Sequence, residues 1–152
     1  VIAAYATQRF ESPSILDVGC GHGRLLKMLA PHGFNGYVGI DLSTEAIDRA
    51  KSLHIENARF VAADFERRPM SGKFNTIIFN ESLYYARKPA DVLASYSSCL
   101  NKDGVVIVSM FSKGNAGSIW KSLKAGFTTV DSTTVINNNN KAWDIKVLQP
   151  KR

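Results

Sequence analysis

The residues best placed to do chemistry stand in Leu16–Gly23, LDVGCGHG, where an apolar run gives way to a helical pattern. Gly19, Gly21 and Gly23 let the backbone turn sharply and approach a ligand with no Cβ in the way. A helix starting near Gly23 aims unpaired N–H groups into the same space. The dinucleotide fingerprint GxGxxG demands glycine at position 24, where Arg24 stands. A Walker phosphate loop demands a Lys-Ser/Thr pair, and this stretch has none. What is left is GxGxG, with Cys20 and His22 between the glycines and Asp17 ahead of them. That pattern suits a ligand with a cationic amino-acid tail better than a pyrophosphate.

Two more acids extend the pocket. Asp41 closes the second apolar run, where a carboxylate beside the glycine loop can accept both hydroxyls of a ribose diol. Each such bond to a charged group is worth about 1.5–3 kcal/mol. Asp64 closes the third run and can accept from an exocyclic amine, while Leu42 and Phe65 sandwich a flat base. Three strand-end acids beside a glycine loop describe a pocket for a nucleoside joined to an amino acid.

The elements that must carry these residues alternate between strand and helix. Ser14–Val18, Tyr37–Asp41, Arg59–Ala63, Thr76–Asn80 and Val105–Met110 are short and β-branched. Several are apolar on both faces, as strands buried between helix layers are. Leu25, Leu26, Met28 and Leu29 predict one helix; Ala46, Ile47, Ala50 and Leu53, after Ser43 as N-cap, predict a second. Pro89 opens a third, with Val92, Leu93, Tyr96, Cys99 and Leu100 on its apolar face. A fourth surrounds Ile119, Trp120 and Leu123, and both Trp120 and Trp143 read as core. The 64–74 connection reads as a loop with at most one helical turn. Thr128–Ile136, the Asn137–Asn140 run and the alternation around Trp143, Ile145 and Val147 predict a closing hairpin. The expected architecture is a doubly wound α/β sheet with one reversed edge strand, binding its ligand where the strand order switches direction.

Composition narrows the class further. At 152 residues, 45% hydrophobic and 21% charged, the chain is sized and composed as one soluble globular domain, 1–152. No run approaches the roughly 18 apolar residues a membrane helix needs. The opening lacks both an initiator Met and a secretory signal, so trimming from a longer product and a cytoplasmic setting are expected. Cys20 and Cys99 cannot build a disulfide framework, and no His or Cys cluster has zinc spacing, so no metal is expected. The net charge of +6 is scattered over pairs such as Arg67 and Arg68, Arg87 and Lys88, and Lys151 and Arg152. Scattered charge argues for steering an anionic small molecule over gripping nucleic acid.

With these motifs in order, the sequence resembles the class I S-adenosylmethionine-dependent methyltransferases over nearly its whole length. Asp17 with Gly19, Gly21 and Gly23 matches the family's first motif, Asp41 its ribose-binding acid, and Asp64 with Phe65 its adenine motif. FNTIIFNESLYY matches the strand bordering the methyl group, with Asn80 at the usual acidic or polar position. The resemblance implies a three-layer Rossmann-like sandwich: a mostly parallel seven-stranded sheet ending in an antiparallel edge hairpin. It implies S-adenosyl-L-methionine as cofactor and S-adenosyl-L-homocysteine as product. The cofactor-binding set becomes Asp17, Gly19, Cys20, Gly21, Gly23, Asp41, Leu42, Asp64, Phe65 and Asn80.

The resemblance implies in-line attack on a methyl group, where positioning supplies much of the catalysis and a general base is optional. Glu81, Tyr84 and Tyr85 are the catalytic candidates, with His22 a further residue that could face the pocket. Glu81 could equally cap the next turn or meet Arg87, and one of the tyrosines could be packing alone. Cys20 lacks the His or Lys partner a nucleophile needs. The Asn/Asp-Pro-Pro-aromatic clamp of base-flipping methyltransferases is missing, since Glu81, Ser82 and Leu83 follow Asn80. A small-molecule acceptor is therefore expected. A non-catalytic cofactor-binding domain, or one methylating RNA or protein, is the alternative. Little chain is left to cover the acceptor, so a homo-oligomer or a segment outside this sequence could complete the site.

Overall fold

In a computed structural model, which describes residues 1–67 and 69–151, the β-branched runs become seven strands. They are β1 (Ser14–Val18), β2 (Gly36–Asp41), β3 (Ala58–Ala62), β4 (Phe74–Asn80), β5 (Leu100–Phe111), β6 (Phe127–Ile136) and β7 (Ala142–Pro150). Arg68 and Arg152 of the basic pairs lie outside the described residues. The helices are α1 (Ile2–Thr7), α2 (Arg24–Leu29), α3 (Thr44–Lys51), α4 (Pro89–Ser97) and α5 (Ala116–Leu123). Ser43 caps α3 as expected, its hydroxyl accepting from the Ala46 N–H at 3.1 Å.

The sheet runs β3-β2-β1-β4-β5-β7-β6, with β1 to β5 parallel and β7 antiparallel to both of its neighbours. Strand alternation sorts the core into two layers. Leu16, Ile77, Phe79, Val106 and Val108 face α4 and α5, meeting Leu93, Tyr96 and Ile119. Ile15, Tyr37, Ile78 and Ile107 face the other way, onto Ala6 of α1, Leu26 of α2 and Ile47 of α3. Burying each large side chain contributes about 1.5–3 kcal/mol. Order reverses between β1 and β4, so the crevice for a ligand opens beyond their carboxyl ends.

Four details depart from the sequence reading. The reversed strand β7 is not at the edge: it lies between β5 and β6, and β6 forms the rim. Met28 sits at the margin of the α2 stripe and is 56% exposed, unlike buried Leu25, Leu26 and Leu29. Cys99 and Leu100 leave the α4 face because Leu100 opens β5 opposite Phe74, whose N–H donates to the Cys99 carbonyl at 2.8 Å. Helix α1, short and without a side-chain cap, has no local signal; it is held partly by Thr76, whose hydroxyl donates to the Ala6 carbonyl at 3.3 Å.

Candidate functional site

The glycine turn lies across the end of β2. Gly19 and Cys20 both donate to the Ile40 carbonyl, at 2.8 and 3.0 Å, and Gly23 donates to the Cys20 carbonyl at 3.1 Å. The Gly21 N–H donates to Asp41 Oδ2 at 2.8 Å. These four N–H groups are thus engaged within the fold, so the turn offers a ligand its shape more than its donors. At Gly19 (φ +79°) an added Cβ would lie 2.5 Å from the Ser82 Cβ. At Gly21 (φ +53°) it would meet nothing within 4 Å, which marks the open face of the turn.

Asp41 also accepts the Ser43 N–H on Oδ1 at 2.9 Å. Each of its oxygens keeps a second lone pair for a further donor. Cys20 is buried, and burial together with Asp17 and Asp41 pushes its thiol well above the ordinary value, so it stays protonated. His22 is exposed. Leu42 is 72% exposed beside the turn, whereas Phe65 is half-buried with its ring 6.3 Å from Phe79. Asp64 accepts the Glu66 N–H at 3.0 Å and faces Arg67 Nε at 3.4 Å.

Asp17 is sealed inside, 1% exposed. The Tyr37 hydroxyl donates to its Oδ2 at 2.6 Å, while among the described residues Oδ1 has no hydrogen-bond partner. Burial drives the carboxyl up to about 7, against the Tyr37 bond and with help from the Asp41 charge. The unfolded chain, with the ordinary value of 3.8, loses this proton first. Between about pH 4 and 7 the unfolded state therefore binds fewer protons than the folded one. Stability contributed by protonated Asp17 is complete below that window and declines through it, then levels off. Urea unfolding of the ligand-free protein across pH 4–8 is expected to show this slope, and Asp17→Asn to remove it. An unchanged slope in Asp17→Asn would assign it to other groups.

On the β4 side, Ser82 ties the next loop to the glycine turn by donating to the Val18 carbonyl. Its neighbour Glu81 holds a left-handed backbone (φ +56°), uncommon for a non-glycine residue, fixed by its N–H donating to the Ser109 carbonyl at 3.0 Å. Two neutral donors pin its carboxylate: Ser109 Oγ on Oε1 at 3.1 Å and the Tyr84 hydroxyl on Oε2 at 3.2 Å. Glu81 thus neither caps the following 83–85 turn nor meets Arg87, which pairs with Glu66. Burial and the Glu81 charge raise the Tyr84 phenol above its ordinary value, keeping it a donor. Tyr85 is 72% exposed, its ring 4.7 Å from that of Tyr84.

Beside Asn80 and Glu81 opens a cleft of about 400 Å³. Its walls come from α1, from α2 through Arg24, Leu25 and Met28, and from the hairpin through Val135, Trp143 and Ile145. Ser109 completes the polar floor. Trp143, read as core from its spacing, is half-buried and lines this cleft, with its ring 5.4 Å from Phe111. Arg24, Ser109 and Trp143 gave no functional signal in the sequence, because separate segments bring them together.

A seven-stranded sheet of this order, with a glycine turn and a strand-end acid at its switch point, defines the Rossmann-like nucleoside-binding class. Within it, the methyltransferase domain family matches residues 1–133, and the chain belongs to that family. It is 31% identical over 109 residues to a ubiquinone biosynthesis O-methyltransferase of Colwellia psychrerythraea, covering 68% of this chain and 44% of that protein. It is 31% identical over 109 residues to an mRNA cap guanine-N(7) methyltransferase of Schizosaccharomyces pombe, covering 61% of this chain and 30% of that one. The chain thus spans less than half the length of either. The structure of N-methyltransferase NodS from Bradyrhizobium japonicum WM9, in complex with S-adenosyl-L-homocysteine, superposes with a TM-score of 0.83 at 17% identity. That likeness covers 99% of this chain and 85% of that one, and shows a shared fold.

Proposed function

We propose that this chain transfers a methyl group from S-adenosyl-L-methionine to a small-molecule acceptor, in the cytoplasm. The observation that carries the reading is the meeting, at the sheet's switch point, of an open-faced glycine turn and a cleft, joined by the Ser82–Val18 bond. The chain's donor set fits the cofactor. Gly21 leaves room for close approach and Asp41 keeps lone pairs for a ribose diol, while buried Asp17, bonded to Tyr37, braces β1 behind the turn. Leu42, Asp64 and Phe65 would hold the base, and Asn80 would border the tail. When bound, the cofactor supplies a methyl group on a positively charged sulfur.

Glu81 then orients the acceptor by accepting its O–H or N–H hydrogen, and takes that proton when the acceptor starts protonated. Ser109 and Tyr84 hold the carboxylate in place for this. The relative acting in ubiquinone biosynthesis supports a small acceptor. The cap methyltransferase relative supports RNA, but Arg67, Arg87 and Lys88 are each engaged by a carboxylate, of Asp64, Glu66 and Asp91 respectively. Among the described residues no helix is long and apolar enough to cross a membrane.

The test is calorimetric titration with S-adenosyl-L-homocysteine, followed by assay of that product with a panel of small acceptors. Uptake with product formation is expected. Uptake with no product from any acceptor would favour a non-catalytic cofactor-binding domain, and no uptake would overturn the reading. Glu81→Gln is expected to leave cofactor affinity intact and slow turnover by about 10²–10⁴-fold. Equal turnover would dismiss Glu81 as the base.

A further inference from the structure

The cleft beside Glu81 carries two charged side chains of opposite sign in an otherwise mostly apolar lining. Glu81 is the fixed one, held through both carboxylate oxygens and its backbone. Arg24 is the free one: among the described residues the structure gives its guanidinium neither an ion pair nor a hydrogen bond, and it is exposed at the cleft wall. In the same lining Leu25, Met28 and Ile145 offer apolar surface and Trp143 a flat ring. A guanidinium fork matches a carboxylate bidentately, and a ring lies well against indole. About 400 Å³ is near the lower end of small-molecule sites and suits a one-ring compound.

From this juxtaposition we infer that the acceptor is a one-ring aromatic acid. Its carboxylate pairs with Arg24, its ring lies on Trp143, and its hydroxyl or amino group donates to Glu81. The inference deepens the methyl-transfer reading and rests on it. Arg24, next to the glycine turn, would otherwise serve the carboxylate of the cofactor's own amino-acid tail, and the two roles separate experimentally.

The probes are hydroxy- and aminobenzoates, each matched with its uncharged methyl ester, titrated by calorimetry into protein saturated with S-adenosyl-L-homocysteine. At least one acid is expected to bind about tenfold more tightly than its ester, the scale of one hydrogen-bonded charge pair. Arg24→Gln, a change at an exposed position, is expected to reduce that preference to within about twofold while leaving affinity for S-adenosyl-L-homocysteine unchanged. Trp143→Leu is expected to weaken acid and ester alike, with thermal unfolding reporting whether the hairpin remains intact. Equal binding of acids and esters, or binding of neither, would overturn the inference while cofactor uptake left the methyl-transfer reading standing. A loss of cofactor affinity in Arg24→Gln would assign Arg24 to the cofactor tail and overturn it too. Failure of the protein to take up S-adenosyl-L-homocysteine at all would instead remove the underlying reading.

Discussion

Gly19→Ala is expected to destabilise the protein by about 2–5 kcal/mol, whereas Gly21→Ala costs about 1–2 kcal/mol and acts mainly on cofactor binding. Both glycines have positive φ, so each alanine meets the same backbone penalty. They differ in what the new methyl group touches. At position 19 it lands 2.5 Å from the Ser82 Cβ, and Ser82 cannot retreat without giving up its bond to the Val18 carbonyl. At position 21 it projects into open space, the same space the ligand has to fill. Urea unfolding of the ligand-free variants, with calorimetric titration of S-adenosyl-L-homocysteine, separates the two. Ser82→Gly in the Gly19→Ala background should recover the packing part of the loss, a coupling a double-mutant cycle reads directly. Equal destabilisation by the two alanines, or no coupling to Ser82, would show that the turn and the β4 loop are not held together as described.

That contact also shows why part of the site was legible in the sequence and part was not. LDVGCGHG announces itself because a strand, a sharp turn and a helix start are all local requirements met by neighbouring residues. Asp41 was legible for a related reason, since the order of βα units fixes which strand end lies beside the turn. The sequence marked the turn by its glycines and the unpaired N–H groups of the helix that follows; it did not show that four N–H groups of the turn itself are spent on Ile40, Asp41 and Cys20. Nothing in a one-dimensional pattern shows which carbonyl lies within reach.

The acceptor side was illegible for a stronger reason. Glu81 stood out by type and position, but its partners Ser109 and Tyr84 depend on the register of β4 against β5. Trp143 looked like core because alternation marks which face a residue occupies, without saying whether that face is covered. The hairpin face turned toward α1 and α2 is only partly covered, and the cleft lies there. Similarly, α1 has six residues, no side-chain cap and no acid in its first turn, so its helix comes from docking on the sheet through Ala6 and Thr76. A short helix made by tertiary contact leaves no periodic signal.

Asp41→Ala is expected to lower cofactor affinity by about 10²–10⁴-fold, the loss of two hydrogen bonds to a charged acceptor at about 1.5–3 kcal/mol each. The carboxylate does two jobs, however, and only one of them faces the ligand. Its Oδ2 fixes the Gly21 N–H and its Oδ1 the Ser43 N–H, so removing it also loosens the turn and the entry to α3. The ligand-free variant should therefore lose about 1–3 kcal/mol of stability as well, and weaker binding alone would not prove a sugar contact. The decisive comparison pairs S-adenosyl-L-homocysteine with its 2′,3′-dideoxyribose analogue. Wild-type protein should prefer the hydroxylated ligand strongly. Asp41→Ala should bind the two about equally, because the hydroxyls then have no carboxylate to meet. If the preference survived in Asp41→Ala, another residue would hold the ribose and Asp41 would be a device for shaping the glycine turn alone.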